Sequence, residues 1–167
     1  PTMSDDVALF DSDHGNDAGT GGSITVSSLS DGRAAMRTQT GLAGETLNIA
    51  PQFLIVPAAL ETEAQQIINS SADPAAGGNS GVNNPFRSAM TLVVNSRLDA
   101  ADANAWFLAA SPSAIDTIEV GFLSGYRQPQ VEEEMSFSVD ARHYKVRHTV
   151  AAKAIDWRGL YRNNGGA

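Results

Sequence analysis

Apolar and polar positions follow two different periods along this chain, helical before residue 70 and alternating after it. Leu60, Ala64, Ile67 and Ile68 recur at i, i+4, i+7 and i+8, the spacing of one helix face. A helix is therefore predicted from about Ala59 to Asn69. A second is predicted over Leu29–Gln39, entered from Ser28 as N-cap with Asp31 in its first turn, and ended near Gly41. Its apolar residues Leu29, Ala34, Ala35 and Met36 are few, so it should touch a neighbour along one narrow stripe. Between the two, Phe53-Leu-Ile-Val56 reads as a buried strand closed by Pro57.

Beyond residue 88 the pattern is that of strands. Thr91–Val94 and Ala105–Leu108 are short apolar runs, and Ile118, Val120 and Phe122 alternate with polar positions. In Val131–Val139 the residues Met135, Phe137 and Val139 share a face, with Glu132, Glu134, Ser136 and Ser138 opposite. In Tyr144–Val150 the residues Tyr144, Val146 and Val150 face away from Lys145 and Arg147. A hairpin looping at Asp140–His143 would pair Val139 with Tyr144 and set Glu134 diagonal to Arg147. The closing segment carries Ile155, Trp157 and Tyr161 as large surfaces to bury. Ser70–Gly81 is rich in Ser, Ala, Gly and Asn, which predicts a mobile surface loop over about residues 70–88.

Composition narrows the class. The 167 residues suffice for one domain or two small lobes, and 42% hydrophobic with 18% charged residues is ordinary for a globular chain. The absence of cysteine removes disulfides, thiolate zinc sites and cysteine nucleophiles. No apolar run approaches a membrane span. The net charge of −8 is uneven: residues 1–140 hold 18 of 19 acids and five of 11 bases, residues 141–167 one acid and six bases. Either a partner surface or a basic strand lying beside acidic ones would explain this, and the second is the simpler expectation. An acidic total disfavours a general DNA-binding domain. The first residue, Pro1, suggests a piece of a longer protein.

Three candidate sites arise. Asp11, Asp13 and Asp17 in "ALFDSDHGNDA" invite comparison with a calcium loop, but counting from Asp11 puts Gly15 at position 5, Asn16 at 6 and Gly22 at 12, where that loop needs an oxygen donor, a glycine and a glutamate. A metal-assisted hydrolase centred on Asp11, Asp13 and His14 is the enzymatic alternative. The histidines His14, His143 and His148 show no zinc-protease spacing, and no nucleophile elbow occurs. Asp-His-Gly-Asn is equally a turn, with Asp and Asn bonding local backbone and Gly15 supplying positive φ. Glu132 and Glu134 would share a strand face as a carboxylate pair, or as a salt-bridged surface.

Four fragments in order, "ALFDSDHGN", "RAAMRTQTGLAGETLNIAPQFLIVPAALETEAQQII", "LVVNSRLDAADANAWFLAA" and "AAKAIDWRGLYRN", resemble the major head subunit of Mu-like tailed phages, which is also found fused behind a prohead protease. One departure is Asp11-Ser12, where the family carries His-Ala, and this weakens any ligand role for position 11. The resemblance implies an α+β chain with the tailed-phage major capsid (Hong Kong 97-type) fold. Residues 1–48 would be peripheral-domain with a spine helix, 49–130 axial with the 70–88 loop, and 131–167 a hairpin and strand returning to the peripheral domain. The N-terminal arm and extended loop would be absent. It further implies a shell protein of the virion, assembled in the host cytoplasm from identical subunits in pentamers and hexamers. The shell would enclose packaged DNA without sequence specificity or membrane contact. No catalytic, cofactor-binding or metal residues and no cofactor carry over. A third reading, an isolated binding module, would require a stable monomer with a ligand-sized pocket.

Overall fold

The computed structural model describes residues 1–74 and 81–166, and these form a mixed α/β chain of two helices and eight strands. They fall into two compact units, residues 1–117 with 155–167, and residues 118–154.

The first unit is built on a four-stranded sheet in the order β2-β1-β3-β8, formed by β1 (Pro51–Val56), β2 (Thr91–Val94), β3 (Trp106–Ala110) and β8 (Leu160–Asn163). β1 and β2 are parallel, and the other pairs are antiparallel. The register places Leu54 beside Leu108 and Leu108 beside Tyr161, one row across the sheet and therefore on one face. Helices α1 (Val26–Arg37) and α2 (Glu61–Asn69) supply Leu29, Met36, Ala64, Ile67 and Ile68 to the same core, with Trp106 and Phe86. On the alternate positions Phe107 meets Phe10 of the N-terminal segment at 5.5 Å between rings, and the Arg162 guanidinium lies over Phe10.

The helices differ from expectation at their starts. α1 begins earlier because Thr25, not Ser28, is its N-cap: Thr25 and Ser28 bond each other's backbone N–H in a capping box. Along α1 Ala34 is exposed, and Gly32 is buried with Leu29 and Met36. The predicted Ala59–Asn69 helix is a 3₁₀ turn, Ala58–Leu60, running into α2. Its first N–H groups, at Ala58 and Ala59, donate to the Asp99 carboxylate, a cap supplied from a remote loop.

Of the expected mobile loop, residues 75–80 lie outside the described residues. Its flanks are pinned rather than loose. Ala72 bridges Asn83, buried Asn84 donates to the carbonyls of Ile67 and Ser70, and Phe86 enters the core under the Arg33 guanidinium. In the closing segment Tyr161 is buried, but Ile155 is not.

The second unit contains two antiparallel ribbons. β4 (Ile118–Phe122) pairs with β7 (Val150–Ala154), and β5 (Gln130–Ser136) with β6 (Ala141–Arg147). The β5–β6 hairpin exists, but its turn is Phe137–Asp140 rather than Asp140–His143. Tyr144 consequently lies opposite Glu133, not Val139, and Glu134 opposite His143 rather than diagonal to Arg147. The physical reason is charge: the expected register would set Glu132–Glu134 against Thr149, Val150 and Ala151. The observed one sets Glu132 against Lys145 and frees Val150 to pair with Phe122. The slip is an even number of residues, so the apolar and charged faces keep their identity.

Candidate functional site

The opening motif forms a corner in which almost every polar group bonds to the chain itself. Leu9 is buried. The Asp11 carboxylate accepts the Asp13 N–H at 3.0 Å, an Asx turn, and Gly15 takes φ +62°. Asn16, 1% exposed, is the knot. Its amide donates to Leu9 O at 2.8 Å and Trp157 O at 3.3 Å, its side-chain oxygen accepts the Asp11 N–H, and its carbonyl accepts the Arg162 N–H. Asp17 pairs with the Arg162 guanidinium and, with it, forms a parallel bridge to β8. The motif thus fastens the N-terminal segment to residues 157–162, over 140 positions away.

His14 belongs to the same fastening. Its ring lies flat on Trp157, 4.1 Å between centroids and 9° from parallel, and the Arg158 guanidinium sits 4.3 Å from the indole centroid. His14 Nε2 is 2.8 Å from an Asp5 carboxylate oxygen, and Nδ1 is 3.4 Å from Leu9 O. The His14 hydrogen bond holds the Asp5 carboxyl below its ordinary range. A cleft of about 310 Å³ opens beside this corner, bordered by Asp13, His14, Gln39 and Arg158.

The residues of the hydrolase reading are not brought together as that chemistry needs. His14 Nε2 faces Asp5, not Asp11 or Asp13, and Asp11 is engaged with its own loop. Among the described residues no group of three His, Cys, Asp or Glu side chains is arranged to hold a metal ion. Nor is any helix there long and apolar enough to cross a membrane. Asp5, the partner of His14, had no signal in the sequence, because the eight residues between them follow no fixed period.

The second candidate is the β4–β7 segment. One face of the β5–β6 hairpin is charged: Glu132 meets both Lys145 and Arg147, which hold its carboxyl below the ordinary range, Lys145 contributing most. A basic strand does therefore lie beside an acidic one, so much of the charge asymmetry is satisfied within the chain. The other face carries Val131 and Val146 directly opposite each other. These are 66% and 67% exposed, with Met135 at 70% and Tyr144 at 63%. In the β4–β7 ribbon Ile118, Val120, Phe122 and Val150 are likewise exposed. Glu133, on the apolar side, is neutralised by Arg142.

A family model described as phage capsid protein matches residues 1–163 of the chain. No curated protein matches it.

Proposed function

The chain belongs to the phage capsid protein family, and we propose that it is the major head subunit of a Mu-like tailed phage. A structural place in the virion shell, among other capsid subunits, follows from the family itself. The observation that carries the proposal further is the match over residues 1–163, together with the four ordered fragments that resemble Mu-like head subunits. The fold proposed is the Hong Kong 97-type, with residues 1–48 peripheral, 49–130 axial and 131–167 returning to the peripheral domain. Identical copies would close into pentamers and hexamers of an icosahedral shell, assembled in the host cytoplasm.

The chemistry of the opening motif supports a structural role. The side chains of Asp11 and Asn16 bond backbone amides and carbonyls, which is what a corner requires, and His14 and Asp17 pair with Asp5 and Arg162. A net charge of −8 suits enclosure of DNA by confinement, not by sequence-reading contacts. Nothing in the geometry favours the hydrolase reading.

Electron microscopy of the full gene product tests the proposal. Capsomers or closed shells are expected. Protein that stays monomeric under every assembly condition refutes it.

A further inference from the structure

We propose that residues 118–154 form a clasp whose apolar face is covered by a second copy of this chain; the inference rests on the capsid reading and names the surface through which it acts. Four observations support it.

The first is the amphipathic pattern. Val131, Met135, Tyr144 and Val146 stand together on one side of the β5–β6 hairpin, and the opposite side holds the Glu132–Lys145–Arg147 cluster. A ribbon surrounded only by water gains nothing from sorting its residues in this way. One that meets a partner on one side does.

The second is stability. Within this unit each sheet has only two strands, and an isolated two-stranded ribbon is marginal in water without something packed on its apolar side. Both long edges also carry unpaired backbone groups.

The third is area. Half- to two-thirds-exposed aliphatic and aromatic side chains such as Ile118, Val120, Val131, Met135, Tyr144 and Val146 offer roughly 100 Å² apiece. Together these six supply about three quarters of the about 800 Å² that one partner contributes to a stable interface.

The fourth is charge, which selects the occupant. Residues 118–154 hold five acids and five bases, a net of zero, so the remaining residues carry the whole −8 of the chain. Two such bodies repel each other. The neutral clasp is the part of one copy that approaches another without adding to that repulsion, whereas a polyanion such as DNA finds no positive excess there.

The test is site-specific photocrosslinking in the full chain. Tyr144→p-benzoylphenylalanine places a crosslinker on the apolar face, and His143→p-benzoylphenylalanine one on the charged face. A mixture of ¹⁴N- and ¹⁵N-labelled protein is assembled, irradiated and read by mass spectrometry. The expected result is mixed-isotope crosslinked peptides from position 144 at the frequency of random pairing, and few from 143. Val146→Glu should abolish the mixed-isotope product and the particles, with the thermal unfolding of the subunit unchanged and Val146→Ile behaving as the parent. Particles that form while position 144 crosslinks only within its own chain, or to nucleic acid, overturn the clasp and leave the capsid reading standing. Absence of particles together with absence of intermolecular crosslinks overturns both.

Discussion

Gly32 is where α1 packs closely against the sheet of the first unit, and Gly32→Ala measures that approach. In the middle of α1 this substitution should help. Alanine is favoured over glycine in a helix interior by about 1 kcal/mol, and Gly32 is not among the positive-φ glycines, so the backbone would not resist. The core decides otherwise. A Cβ at this position would stand 2.8 Å from Leu108 Cδ1 and 2.8 Å from Tyr161 Cε1, where carbon atoms rest at about 3.5–4.0 Å. Roughly 0.7–1.2 Å must therefore open between α1 and the β3–β8 pair.

Neither neighbour yields easily. Leu108 is fully buried and Tyr161 nearly so, and both lie on strands paired to each other. Overpacking of this kind costs about 1–3 kcal/mol; two buried neighbours place it in the upper half of that range. Set against the helix preference, the net is a destabilisation of about 1–2 kcal/mol, or about 2–8 °C in Tm for a chain of this size. Urea unfolding of dissociated subunits, followed by circular dichroism, provides the measurement. Leu108→Val serves as the second arm, because it removes one of the atoms in the way: Gly32→Ala should cost less in that background than alone. A Gly32→Ala protein that is more stable than the parent, or equally costly in both backgrounds, would refute the close approach of α1 to β3 and β8.

The corner makes its own predictions. Asn16→Ala leaves the buried Leu9 carbonyl without its amide donor and cuts the link to Trp157; a loss of about 1–3 kcal/mol in urea unfolding is expected, and a neutral result would show that the knot is dispensable. His14→Phe keeps a ring against Trp157 but removes both hydrogen bonds, whereas His14→Ala removes the stack as well. Tryptophan emission should shift to the red in the alanine variant more than in the phenylalanine one, and equal shifts would mean that the stack does not shield the indole. For pH, the amides of Ala58 and Ala59 hold the Asp99 carboxyl below the ordinary aspartate range. A carboxyl depressed in the folded state contributes stability that is present above the unfolded pKa and lost as pH falls through the folded one. Asp99→Asn should therefore be less stable than the parent at pH 7, with the gap closing as pH drops below about 3.8. A gap that is unchanged between pH 7 and pH 3 would contradict the cap.

How far the sequence could be read depends on the range of the force that fixed each element. The i, i+4, i+7, i+8 spacing of Leu60 to Ile68 is a local property, and the helix is where the spacing puts it. Strand β2 matches its apolar run residue for residue. The start of α1 was misplaced because Ser28 and Thr25 are both good caps, and only the reciprocal bond chooses between them. Strand β7 was missed because Val-Ala-Ala-Lys-Ala has little intrinsic strand preference; it is a strand through its pairing with β4. The hairpin register turned on charges as much as on apolar residues. Had the three glutamates been matched to the three bases of β6, the turn at Phe137–Asp140 would have followed from the sequence alone. The corner carries the same lesson at longer range. Its residue types announced polar chemistry, but their partners, Asp5, Trp157 and Arg162, lie at separations no local pattern encodes. Aspartates that bond backbone and a histidine that stacks on an indole are spelled with the letters of an active site; the partners decide, and here they make a fastening between the chain's two ends.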